Sequence, residues 1–140
     1  MRFENLGWTA NGDINCARFV KLISGTKYRV AQAAANEQVI GATTQKQRAA
    51  TITGTLTATT LAASAGESLD IEMMGSLVWV QVGSAVVEGE WVKSDVNGMA
   101  VPIATSGATK QMVAGLCIVG AANANELALI QINPHRQTMD

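Results

Sequence analysis

The stretch WVKSDVNGMAVPI, residues 91–103, decides how this chain folds. Trp91-Val92-Lys93 and Met99 to Ile103 are short runs suited to strands, and Asn97-Gly98 stands between them. Both of those residues tolerate positive φ, so they turn one strand tightly into the next. Outward from this hairpin the period of two recurs. Val113 to Val119 and Leu127 to Ile132 continue the sheet, and Leu77 to Val82 (LVWVQV) has the β-branched and aromatic composition of a central strand. In Leu69-Asp70-Ile71-Glu72-Met73 the apolar residues face one way and the carboxylates the other, which describes a strand with one wet face.

Helical stripes with caps are hard to find, so the fold class is mainly β. A chain of 140 residues suits one domain, here a small β-barrel-like or sandwich-like fold with an extended N-terminal arm. The expected plan is an arm over residues 1–17, a β domain over 18–133 with a Thr/Ala-rich insert at about 43–65, and a polar tail over 134–140. A faint internal repeat runs through the domain. Phe19-Val20-Lys21, a turn at Gly25 and Val39-Ile40-Gly41-Ala42 align with Trp91-Val92-Lys93, a turn at Gly98 and Val113-Ala114-Gly115-Leu116. Each copy is followed by a strand, Leu69 to Met73 in the first and Leu127 to Ile132 in the second, as if two similar motifs close on one core.

Two segments suggest contact with other chains. Ala49 to Gly66 carries no charged residue, and within it Thr51 to Thr57 alternates threonine with Ile52, Gly54 and Leu56. This is either a strand pairing outside the barrel or a loop that orders against a partner; a neutral ribbon of this kind is an awkward free edge. The leading segment places Phe3, Leu6 and Trp8 among turn-formers. It either docks into a neighbour's groove or sheet by these anchors, or folds back on its own domain. Charged residues make up only 15% of the chain, against roughly 25% in soluble domains, so little charge keeps the surface solitary and oligomerisation is expected.

The remaining features exclude chemistry. A net charge of −1 gives no footprint for nucleic acid. The N-terminus lacks the apolar core of a signal peptide, and the longest nearly apolar run, Met112 to Ala122, is short of the ~20 residues of a membrane helix. Cys16 and Cys117 form no paired motif and are expected as free thiols. His135, the one histidine, lies in the polar tail where nothing orients it as a base, and one histidine with two scattered cysteines makes no zinc site. Asp95-Val96-Asn97-Gly98 opens like a calcium loop but lacks the later ligands. Glu67, Asp70, Glu72, Glu88 and Glu90 are expected on solvated faces, and Trp79 and Trp91 in the core. No phosphate loop is present. The expectation is a non-enzymatic chain with no cofactor, metal or small-molecule substrate.

The string from Val86, VVEGEWVKSDVNGMAVPIATSGATKQMVAGLCIVGAANANELALIQINP, resembles the C-terminal half of the decoration (cement) proteins of tailed-bacteriophage capsids. The resemblance rests on Gly89, Val92, Asp95 and Gly98, then Gly115, then Leu127, Leu129, Ile130 and Ile132. In the first half TANGDINCARFVKL and AGESLDIEMMG, with Gly75, are similar to the family's opening and middle strand; the long uncharged insert and Leu116-Cys117-Ile118 depart from it. The resemblance implies a homotrimer, made in the host bacterial cytoplasm, that binds the major capsid protein on the virion exterior between capsomers. Phe3, Leu6, Trp8, Ile52 and Leu56 are the expected contact residues. Other phage structural roles (tail-tube, head-fibre or adaptor domain) suit the same composition, as does a small carbohydrate-binding domain using Trp8, Asp70 and Glu72.

Overall fold

The computed structural model describes residues 7–45, 60–104 and 110–138. Their strands are β1 (Trp8–Ala10), β2 (Ile14–Asn15), β3 (Phe19–Leu22), β4 (Arg29–Gln32), β5 (Gly41–Ala42), β6 (Leu61–Ala63), β7 (Ser68–Leu69), β8 (Leu77–Gln81), β9 (Trp91–Ser94), β10 (Ala100–Pro102), β11 (Lys110–Val119) and β12 (Leu127–Thr138). They form a first sheet in the order β5-β3-β4-β1-β7, a second in the order β10-β9-β11-β12-β8, and the small pair β2-β6. The chain is mainly β and sandwich-like, with curled sheets rather than one closed barrel.

The internal repeat is a physical duplication, and it extends further than the sequence suggests. β3 sits between its hairpin partner β4 and the returning β5, as β9 sits between β10 and β11. In the first half the parallel pair Ala10↔Val30 brings β1 beside β4, and the bridge Ala42↔Glu72 joins β5 to the residues after β7. In the second half the parallel bridge Val82↔Ala100 brings the end of β8 beside β10. Following the registers, Trp8, Ala10, Val20, Val30, Ile40, Leu69 and Ile71 correspond to Val80, Val82, Val92, Ala100, Ala114, Ala128 and Ile130. Every one of these side chains packs in the core of its own half.

The two glycines of the repeat explain the pattern's spacing. A Cβ on Gly41 would lie 2.3 Å from the Glu72 carbonyl oxygen and 2.7 Å from Ile71 Cγ2. On Gly115 it would lie 2.2 Å from the Gln131 carbonyl oxygen and 2.8 Å from Ile130 Cγ2. Each half therefore crosses a strand over its neighbour at one glycine, closer than any side chain permits.

A buried polar junction ties the halves together. Arg18 is only 1% exposed. Its Nε donates to the Asn97 carbonyl at 3.1 Å, and its Nη1 donates to the Cys16 carbonyl at 3.0 Å and to Gln81 Oε1. Gln32 Nε2 donates to the same Asn97 carbonyl at 2.8 Å. The Asn97-Gly98 turn of the second half is thus seated on the first, where Phe19 N donates to Gly98 O at 2.9 Å. Phe19, Ala33, Val39 and Ala42 join the second half's core across this contact.

Four expectations need correction. The described part of the expected arm, residues 7–17, holds β1 and β2: Trp8 pairs with Leu69, and Ala10 and Ile14 are fully buried. Burial of that indole within its own half outweighs leaving it on a free arm. The expected tail is strand through Thr138, because β11 extends far enough to pair Lys110 with Thr138. Leu77 to Val82 is not central: β8 lies at the end of its sheet order. Its alternation turns Leu77 and Trp79 outward, at 57% and 39% exposure, so Trp79 is not core; Trp91 is half-buried. The expected hairpin is present, and Asp95 Oδ1 accepts from Asn97 N at 2.8 Å and Met99 N at 2.9 Å, which makes that aspartate a turn-former.

Candidate interaction surface

The feature that sets the two halves apart is the outer face of the second sheet. Two rows of side chains cross it, as the strand registers dictate. One runs Leu77, Gln131, Leu116, Trp91, and the next runs Trp79, Leu129, Val119, with Ile118 beside it at a bulge in β11. Leu77, Trp79, Ile118 and Val119 are exposed and the others apart from Gln131 are half-buried, so the surface is apolar and bears no charge along either row. The duplication supplies the comparison. Ser68, Asp70 and Glu72 of the first half occupy the positions that Leu127, Leu129 and Gln131 occupy in the second. The first half turns a solvated face outward there, as the sequence indicates; the second presents leucines. Isolated exposed leucines need no explanation, but a contiguous apolar patch does.

At the border of this face lies β8, the last strand of its sheet order, whose outer edge is met at Gln81, where the backbone N donates to Ala17 O at 3.0 Å. Val82 N donates to Glu126 O and Ile132 N to Ser76 O, so the even-numbered residues of β8 direct their backbone groups to β12. Antiparallel alternation then points those of Leu77 and Trp79 away from it. A shallow groove of about 410 Å³ runs beside that edge, lined by Thr44, Gln45, Glu72, Leu77, Val78 and Trp79. Glu72 is its one charged lining residue.

A second exposed apolar pair lies at the β3–β4 turn, Leu22 at 53% and Tyr28 at 54%. Tyr28 holds the left-handed backbone at φ 58°, as Gly98 does at φ 75° at the corresponding place in the other hairpin. Its ring stands edge-on to Trp8, with centroids 6.4 Å apart.

Of the expected contact residues, the structure describes Trp8 alone. Trp8 is 6% exposed and belongs to the first half's core; Phe3, Leu6, Ile52 and Leu56 lie outside the described residues. Asp70 is exposed and Trp8 is not, so the two do not form the open aromatic and acidic platform a sugar site needs. His135 is half-buried on β12 with Trp91 edge-on at 4.9 Å, and its Nδ1 lies 2.8 Å from the Asn133 carbonyl. Cys16 and Cys117 are buried and unbridged. Burial pushes the Cys16 thiol up to about 11 against the pull of Arg18, and burial, then Glu88 and Glu90, raises that of Cys117, so the surroundings of both disfavour the thiolate. Among the described residues no group of three or more His, Cys, Asp or Glu could hold a metal ion.

No protein-family model matches the sequence, and no curated protein matches it. Among solved structures, the N base of head fibre gp8.5 of bacteriophage phi29 aligns over 93% of this chain and 93% of that chain, with a TM-score of 0.61 and 16% identity. The two share a fold. Because the alignment covers 93% of both chains, the likeness to the head-fibre base takes in both halves of the duplication rather than one.

Proposed function

We propose that this chain is a non-enzymatic structural protein of a tailed-phage virion, seated on the outside of the capsid, where it binds the major capsid protein and stabilises the shell. The observation that carries this reading is the fold shared with the head-fibre base over nearly the whole of both chains. Three features agree with it: the resemblance to decoration proteins in the hairpin and final strands, the low charge of the chain, and the uncharged face of the second sheet. Assembly as a homotrimer belongs to the same proposal, since linked subunits that engage several shell sites gain avidity without new contacts.

The comparison itself favours a second reading, in which the chain is the base of a head fibre and anchors an appendage instead of cementing capsomers. One experiment separates the two. The purified chain is added to capsids stripped of it, and bound copies and capsid melting temperature are measured together. A decoration protein saturates many sites and raises the melting temperature; a fibre base occupies few and leaves it unchanged. Absence of binding contradicts both.

A further inference from the structure

The geometry points to a head-to-tail contact between copies of this chain, in which the β3–β4 turn of one copy docks on the outer face of the second sheet of the next. The template is the contact the molecule already makes within itself. There the turn of the second half, Asn97-Gly98, sits on the side of the first half that bears Phe19, Ala33 and Ala42. By the strand registers, the turn that corresponds to it in the first half is the one flanked by Leu22 and Tyr28. The residues that correspond to Phe19 and Ala42 are Trp91 and Leu116. The inner pair is covered by the second half and fully buried; the outer pair is half-buried and opens onto the apolar face. Among the described residues, each copy thus carries a turn and a face that its other half does not engage, related to each other as the engaged turn and face are.

The chemistry of both surfaces fits a second copy. Leu22 and Tyr28 are large and exposed, where the seated turn has Ser94, 1% exposed, and Gly98. The face they would meet holds Leu116, Leu129, Val119 and Trp79 in place of charge. Leu22 and Tyr28 on one side and Leu77, Trp79, Ile118 and Val119 on the other present roughly 500 Å² together, the size of a weak, transient contact, which is why the test runs to submillimolar concentration. Since turn and face are different surfaces, the contact is heterologous, and copies joined this way close into a ring or continue as a chain. This inference does not depend on the shell reading.

The test uses two variants that borrow residues from the opposite half. The face variant carries Leu127→Ser and Leu129→Asp, the residues the first half has at those positions; the turn variant carries Leu22→Ser and Tyr28→Asn, asparagine tolerating the left-handed backbone. Sedimentation velocity is run on the full chain and both variants from micromolar to submillimolar concentration, with circular dichroism melts to verify folding. The wild type self-associates, each variant alone stays monomeric, and an equimolar mixture forms a heterodimer, because the intact turn of one meets the intact face of the other. Leu22→Ser alone, which leaves the Tyr28–Trp8 contact in place, weakens association at least tenfold. A wild type that stays monomeric throughout overturns the inference, and so does a turn variant that associates as well as the wild type. If the wild type is monomeric while the face variant loses capsid binding, the face serves the shell; the head-to-tail contact then fails, and of the proposed function the capsid binding stands without assembly of the free chain.

Discussion

Replacing Gly115 by alanine tests the duplication at its tightest point. The new methyl would sit 2.2 Å from the Gln131 carbonyl oxygen, 2.8 Å from Ile130 Cγ2 and 3.1 Å from the Gln131 carbonyl carbon. Close carbon–oxygen contacts settle at about 3.3 Å, so β12 must retreat by about 1 Å where it is held by β11 on one side and β8 on the other. The obstacle is backbone, so no side-chain rotation relieves it. Overpacking of this kind costs about 1–3 kcal/mol, and straining a neighbouring ladder hydrogen bond adds about 1. We expect about 3 kcal/mol, or roughly 10 °C in Tm for a chain of this size. Gly41→Ala presents the same clash against Glu72 O, but β5 spans only Gly41–Ala42 and its partner is a single bridge, so relaxation is easier and the cost about 2 kcal/mol. The double variant should lose nearly the sum, the sites lying in different halves. Urea denaturation with a shared slope reads all three values. A loss below about 1 kcal/mol for Gly115→Ala refutes the strand crossing and with it the register on which the repeat rests.

Other expectations follow from the same structure. Arg18→Met leaves the Cys16 carbonyl and Gln81 Oε1 without their guanidinium donor and should destabilise the chain by about 2–4 kcal/mol, read by thermal and chemical melts. Cys16 and Cys117 should resist alkylation at pH 8 in the native protein and react together on unfolding, which mass spectrometry across a urea series follows. Glu37 accepts from Lys21 at 2.6 Å, and that bond, then the Ala34 amide, holds its carboxyl below the usual range. Its contribution is present above the ordinary carboxylate pKa of 4.5 and is lost as pH falls through the lowered value. The pair is about one-third exposed, so Glu37→Gln should cost under 1 kcal/mol at pH 7 and nothing at strongly acid pH.

The parts of this fold legible in the sequence are those set by local rules. Asn97-Gly98 gave the hairpin because two adjacent left-handed-tolerant residues leave the backbone few choices, and Asp70 and Glu72 gave a wet face because alternation has a fixed period. The repeat was visible as Gly41 and Gly115, but its reach back to β1 and β8 was not, since Trp8 and Val80 share a position without sharing chemistry. Whether a strand is central or at an edge was hidden for the same reason: LVWVQV suits a pleated surface either way, and only the order of pairing turns Leu77 and Trp79 outward. His135 looked like a tail residue because Pro134 precedes it and Arg136, Gln137 and Thr138 follow; its strand is dictated by the length of β11, which reaches back to Lys110. Arg18 gave no signal at all. A buried guanidinium is specified by the carbonyls of a turn 79 positions away, which a single sequence does not connect.

The most direct measurement of the central claim is the copy number of this chain relative to the major capsid protein, by quantitative mass spectrometry of purified virions from its source. The chain should be present in a fixed, symmetry-related proportion that is lost together with capsid stability when the gene is deleted. Mature particles that contain none of the chain would contradict the account.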